Sequence, residues 1–329
     1  MLIRSTLRGA AAALAIIAPL AALCGATPAD AQAYPANRVT IICAFAPGGF
    51  ADTMARVVAQ GLSERLHQPV VVENRSGAGG NIGAGLVAHA APDGYTLLAT
   101  TTAIAINETL FPHKPYTAKD LETVAMVASS PETLGTSPSH PANSLPEFIK
   151  SMNGKVINFG SAGVGTGSHI EAEYFFKFLA KVPAQHIPFQ GGAPALNGML
   201  ANQTDMLAAT LAGTIAAQMQ AGKLKGLGVA SDKRAPSIPN VPTYAEQGFP
   251  NFTAASWVAL FAPAATDAKV LTTLNDAINE TMKGEDVQKK LTALGFDPIV
   301  ASQPEADKTF NAEVKKWGDM VKALDLSLN

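Results

Sequence analysis

Three times in this chain an apolar, strand-like run breaks into a glycine loop that opens directly into a helical pattern. The first runs from Arg38 to Phe45, then Ala46-Pro-Gly-Gly-Phe-Ala51, then a helix face of Met54, Val57, Val58 and Leu62. The second runs from Lys155 to Phe159, then Gly160-Ser-Ala-Gly-Val-Gly-Thr-Gly167, then Ile170, Tyr174 and Phe178 in line. The third runs from Gln185 to Phe189, then Gly191-Gly-Ala-Pro194 and a helix to about Leu200. A further glycine-dense stretch, Gly77 to Gly85, joins a strand at Val70–Glu73 to one at Tyr95–Thr101. Such strand–loop–helix units pair their strands in parallel and place helices on both faces. Asp52 reads as the cap of the first helix. Ser144 with Glu147, Ser168 with Glu171 and Ser302 with Glu305 read as capping boxes. Two helices with stripes Val270–Met282 and Phe310–Leu324 close the chain. The expected fold is α/β in two lobes, each a sheet flanked by helices, with the last helices packed back on the first lobe.

The length of 329 residues allows two such domains. A 47% hydrophobic and 15% charged composition excludes a disordered chain. The balance of 24 basic and 26 acidic residues leaves no excess positive charge for nucleic acid. Part of the hydrophobicity lies at the start: Arg4 and Arg8, an apolar run from Ala10 to Leu23, and Ala31-Gln-Ala33. This is the layout of a signal peptide over residues 1–33, cleaved after Ala33. The run is short of the roughly 20 apolar residues that span a bilayer. Cys43 is then alone and reads as a small buried hydrophobe.

Enzyme motifs fail one by one. The six histidines show no zinc-type spacing. Gly163-Val-Gly-Thr-Gly167 imitates a dinucleotide fingerprint but has Ser168 where the third glycine belongs. There is no Gly-Lys-Ser/Thr, and around Ser161 the nucleophile-elbow pattern breaks at Phe159. No catalytic residue, metal or cofactor is expected; a secreted hydrolase using Ser161 or Ser168 is the enzyme alternative. Binding chemistry fits better. Glycine lets a backbone approach a ligand, and the first turn of a helix offers free N–H donors that favour an anion. Two such loops in separate lobes suit a ligand with two carboxylates. Neither loop contains Lys or Arg, so neutral donors would hold it.

The segments Ala46-Pro-Gly-Gly-Phe-Ala-Asp52, Gln68-Pro-Val-Val-Val-Glu-Asn-Arg75, Gly77-Ala-Gly-Gly80 and Pro92-Asp-Gly-Tyr-Thr-Leu97 resemble the substrate-binding proteins of tripartite tricarboxylate transporters, the TctC or Bug type. Ser161-Ala-Gly-Val-Gly165 with His169, Gly191-Gly-Ala-Pro-Ala195 and Val241-Pro-Thr243 continue the resemblance in order. It implies a periplasmic two-lobe flytrap of type II, with lobe 1 over 34–133 and 255–329 and lobe 2 over 134–254. It implies a monomer that binds a small di- or tricarboxylate and hands it to membrane permease subunits; a sensor for a signalling partner is the alternative. Carried over by motif, the ligand site comprises Gly48, Gly49, Phe50, Ala51 and Asp52; Thr101, Thr102 and Asn107; Ser161, Ala162, Gly163, Gly165, Thr166 and His169; and Asp205. In this mapping Asp52 is a cap, and Thr166 adds a hydroxyl donor to the loop amides. The loop departs from the family pattern at Ala46 and at bulky Phe50. Phe45 and Phe50 either line the cleft and favour an apolar spacer between carboxylates, or pack in the core.

Overall fold

In the computed structural model, which describes residues 34–328, the leader assigned to residues 1–33 and its cleavage site lie outside the described residues. β1 (Val39–Cys43) sits between β2 (Val70–Asn74) and β3 (Thr96–Thr101), all parallel, with Ile41 opposite Val72 and Leu97. α1 (Phe50–Leu66) and α2 (Asn81–Ala88) are the crossovers, and α3 (Ala103–Leu110) leaves β3. A second parallel group has β5 (Ile157–Ser161) between β6 (Ala184–Pro188) and β7 (Met206–Thr210). Around it lie α4 (Leu145–Met152), α5 (Gly167–Tyr174) with a π-helical extension Phe175–Ala180, α6 (Gly192–Leu200) and α7 (Thr214–Gln220).

One strand serves both groups. β4 (Leu121–Thr136) pairs antiparallel with β9 (Ala255–Pro263) as far as Pro131, and β9 pairs antiparallel with β3. From Glu132 onward β4 pairs antiparallel with β7 and with β8 (Lys225–Val229). The crossing is tied by Glu132 N–H donating to Ala254 O and Ala230 N–H donating to Glu132 O, both at 2.9 Å. The chain therefore passes between the lobes twice at one place, Pro131–Glu132 and Ala254–Ala255. The C-terminal part packs on the elements of the first parallel group and on β4. α8 (Ala268–Met282) packs on α1 and β4, α9 (Glu285–Ala293) leads to β10 (Asp297–Pro298) on β4, and α10 (Gln303–Leu324) lies on α3 and β4. Trp317 of α10 is fully buried, and its indole and that of Trp257 both donate to Glu313 Oε2. Cys43 is buried as read, and burial pushes its thiol up to about 12.

The parallel units form as expected, and β4, β8 and β9 run against their neighbours to make the whole sheet mixed. Two readings are corrected. The cap of α1 is Gly49, and Asp52 lies inside the helix. The cap of α5 is Thr166, whose Oγ1 accepts from His169 N–H, so Ser168 lies in the first turn and is not the cap. The box at Ser302 forms as expected, with Ser302 N–H donating to Glu305 Oε2 at 2.9 Å. At Ser144 only half of it forms, because Ser144 Oγ accepts from Glu147 N–H while the Glu147 carboxylate accepts from Asn143 N–H.

Candidate functional site

Three helices begin at one place. α1 starts after Gly49, α5 after Thr166 and α6 after Gly191. The first-turn amides of each have no partner within the helix: Phe50 and Ala51, Gly167 and Ser168, Gly192 and Ala193. The next α6 residue, Pro194, has no N–H to leave unpaired. Gly49, Phe50, Ala51, Gly167, Ser168, Gly191 and Gly192 line one cavity of about 30 Å³ with Phe45, Thr101, Ala162, Thr166, Thr210 and Ser256. An adjoining cavity of about 190 Å³ shares Phe45 and Ala162 and is walled by Gly77–Gly80, Gly163, Val164 and Pro188–Gln190. No Lys, Arg, Asp or Glu lines either one. The field there comes from helix starts, each equivalent to roughly half a positive charge, at the carboxyl ends of β1, β5, β6 and β7, where open α/β sheets hold ligands. A larger hollow of about 530 Å³ behind the strand crossing mixes Asp232 and Asp297 with Lys233, Arg234 and Lys316, and lacks this donor arrangement.

The two sides of the cleft touch. Thr214 Oγ1–H donates to Gly48 O at 2.7 Å across it. A Cβ on Gly79 would overlap the Val164 carbonyl, and one on Gly165 would overlap Asn107 Oδ1; both glycines have positive φ, +62° and +78°. Glycine at these two positions lets the lobes meet.

Of the residues mapped from sequence, Phe45, Gly49, Phe50, Ala51, Thr101, Ala162 and Thr166 share the smaller cavity, and Gly163 lines the larger one. Phe45 thus lines the cleft while 7% exposed, and Phe50 stacks on Phe296 at 5.4 Å with its edge in the cavity wall. Gly48 sits exposed at the edge of the cleft, while Asp52, Thr102, Asn107, Ser161, Gly165 and His169 stand behind the lining. Asp52 accepts from Gly48 N–H, from Arg56 through both of its oxygens, and from Asn74 Nδ2–H. Burial opposes its ionisation, but these donors outweigh it and hold the carboxyl below its usual range. It therefore fixes the first glycine loop and does not face the ligand. Thr102 bonds Ser256, and Asn107 donates to Gly79 O and Asn81 Oδ1, each at 3.0 Å. Ser161 Oγ lies 2.6 Å from His186 Nε2, and Gly165 N–H donates to His169 Nδ1 at 3.2 Å. Asp205 is a correction. It precedes β7, accepts from Asn158 N–H at the start of β5, and borders a hollow with His140 and Phe148 at the opposite ends of these strands.

Thr166 is also reassigned. Its hydroxyl proton goes to Gly163 O at 2.7 Å and its oxygen accepts from His169 N–H, so it caps α5 and brings no free donor. Thr166→Val should cost about 1 kcal/mol of stability, the usual worth of such a cap, and Thr166→Ser should restore it. Melting curves without ligand check this; an unchanged melting point for Thr166→Val would contradict the capping role.

Two cavity residues, Thr210 and Ser256, were not read from sequence. They lie at strand ends, Thr210 closing β7 and Ser256 second in β9, where a hydroxyl carries no signal. Both donate to Oε1 of Glu132, which lies beneath them with 0% exposure. Burial pushes Glu132 up to about 7 despite those two donors. Glu171, also buried, accepts from Tyr244 Oη–H at 2.6 Å and is pushed up to about 8 by burial, with Glu132 adding to the shift. His169 and His186 stack at 3.9 Å and are pulled down to about 4 and about 3, mainly by burial. Both rings are neutral at pH 7, as the Gly165 amide requires of His169.

The chain matches known proteins over most of its length. The sequence profile described as "Tripartite tricarboxylate transporter family receptor" matches residues 54–326. Protein BugT of Bordetella pertussis is 37% identical over 321 residues, 94% of this chain and 96% of that one. Among solved structures, an R. palustris protein with adipate is 29% identical with a TM-score of 0.84, covering 89% of this chain and 99% of that one. MatC from Rhodopseudomonas palustris with bound malate is 32% identical with a TM-score of 0.82, covering 88% and 100%.

Proposed function

The chain belongs to the tripartite tricarboxylate transporter family of receptors, and from that premise we propose that it captures a small di- or tricarboxylate in the cleft and delivers it to membrane permease subunits. The observation that carries this reading is the convergence of three helix starts on a cavity without a charged side chain. Carboxylates in two related structures support it, adipate in one and malate in the other. The amides of Phe50, Ala51, Gly167, Ser168 and Gly192 take one carboxylate. The adjoining cavity takes the rest of the ligand past Phe45 and Ala162.

At about 30 Å³ the smaller cavity is tighter than a dicarboxylate, so capture requires the lobes to part and close again. The doubled crossing at Pro131–Glu132 and Ala254–Ala255 is the place where they turn. It supports a lobe 2 of about 134–254 between the two parts of lobe 1. Export to the periplasm after cleavage at Ala33 fits an N-terminal residue that is already held: Tyr34 Oη–H donates to Gly94 O at 2.6 Å. The protein acts as a monomer and as a binder. A hydrolase would need Ser161 in reach of substrate, but that hydroxyl is fully buried behind the lining and bound to His186. Thermal-shift measurement against mono-, di- and tricarboxylates, amines and sugars tests the proposal. A true ligand at 100 times its Kd should add about 2.7 kcal/mol of stability. A shift with amines or sugars and none with carboxylates would overturn it.

A further inference from the structure

The floor of the smaller cavity has a hydrogen-bond sense that the helix starts do not account for. Ser256 and Thr210 line it, and both hydroxyls donate to one oxygen, Glu132 Oε1, the Thr210 bond at 3.2 Å. Glu132 is 0% exposed, and no cation pairs with it among the described residues. Because Oε1 already has two donors, a proton on this carboxyl goes to Oε2, and Oε1 accepts in either ionisation state. With the Ser256 proton committed there, the Thr102 hydroxyl, 2.9 Å away, donates to Ser256 Oγ. Ser256 and Thr210 therefore turn lone pairs, not protons, toward the cavity. A carboxylate oxygen placed on them would meet only lone pairs, whereas a donor group would meet two acceptors.

We propose that Glu132, acting through Ser256 and Thr210, makes the cavity floor an acceptor and so selects carboxylates that carry a hydrogen-bond donor, a hydroxyl or ammonium group, beside the carboxylate held by the amides. The inference rests on the carboxylate-binding reading and narrows its substrate class. Glu132 is a positioning residue: it touches the two hydroxyls and not the ligand. A ligand without the donor leaves the remaining lone pairs of Ser256 and Thr210 facing it without a proton to accept, and sites built to receive a substrate donor discriminate against analogues that lack it.

The test is calorimetric titration with matched pairs: succinate against malate, glutarate against 2-hydroxyglutarate, adipate against 2-hydroxyadipate. The hydroxylated member of the pair that fits should bind roughly 10- to 100-fold more tightly. Glu132→Gln keeps an acceptor oxygen and should keep the preference. Glu132→Leu releases both hydroxyl protons and should bring the ratio close to one. The ratio compares two ligands on one protein, so a general loss of folding does not move it. Should Glu132→Leu fail to fold, the Ser256→Ala, Thr210→Val pair of changes removes the acceptors directly and should erase the preference as well. Equal binding within every pair, or an unchanged ratio after these changes, overturns the inference and leaves the carboxylate reading standing. Binding of no member of any pair overturns both.

Discussion

Gly165→Ala is expected to weaken carboxylate binding at least about 100-fold, equivalent to roughly 2.7 kcal/mol. Two effects add. The residue has φ of +78°, where a side chain costs roughly 1–2 kcal/mol. Its Cβ would overlap Asn107 Oδ1 and press on Leu110 and Phe111 across the cleft. Asn107 cannot retreat, because its amide is held by Gly79 O and Asn81 Oδ1. The lobes then stop short of the approach that brings α1 to α5 and α6. Gly154→Ala is the matched control: φ is +77° in the same lobe, and nothing lies within 4 Å of the added carbon. It carries the backbone cost without the clash and should bind as the parent does. Titration of both variants with the carboxylate that gives the largest thermal shift decides the matter. Equal affinities would mean that closure does not pass through the Gly165–Asn107 contact.

Stability without ligand should fall as pH rises above neutrality, by on the order of 3 kcal/mol between pH 6.5 and 9. Glu132 and Glu171 are raised to about 7 and about 8 from an ordinary 4.5. The native state therefore keeps two protons that the unfolded chain has lost. Their stabilisation is complete below pH 4.5 and disappears as pH passes the folded values. His169 and His186 act in the opposite sense. Lowered to about 4 and about 3 from 6.5, they make the unfolded chain bind more protons in that window, so stability falls on acidification below 6.5. Between 4.5 and 6.5 the two pairs oppose each other and the melting point should change little. Above 6.5 only the glutamates remain, and the melting point should drop by roughly 5–10 °C toward pH 9. Glu132→Gln with Glu171→Gln should abolish that drop and expose the histidine slope between 4.5 and 6.5. A melting point that is flat or rising from pH 6.5 to 9 in the parent would contradict the buried carboxyls.

Much of the site was legible because it is built from loops whose composition has one physical meaning. Ala46–Ala51, Gly160–Gly167 and Gly191–Pro194 announced three helix starts, and those starts converge on one cavity. The reading failed where the burial of a strand was hidden. In β4, Ser129-Ser-Pro-Glu132 interrupts the apolar pattern, and no strand was expected from 121 to 136. That interruption marks the passage from one sheet to the other: Pro131 needs no ladder N–H at the change of partner, and Glu132 turns under the cleft. Thr210 and Ser256 were missed for the same reason, since their role depends on Glu132 and not on their neighbours in sequence. Capping by Asp52 and Ser168 was misplaced by two or three residues, because glycine and threonine just upstream also cap. Asp205 was set near the cleft by motif alone; the parallel register of β5 and β7 puts it at the far end of the sheet.

The central claim is that a cleft without charged lining holds a carboxylate by amide donors at three helix starts. Calorimetric titration at low and high ionic strength, with the carboxylate that gives the largest thermal shift, tests it most directly. Screening acts mainly on separated, exposed charges and little on short hydrogen bonds inside a closed site. One ligand should bind per chain, with an affinity that changes little with salt. A steep loss of affinity with salt would place the ligand on exposed basic side chains and contradict the account.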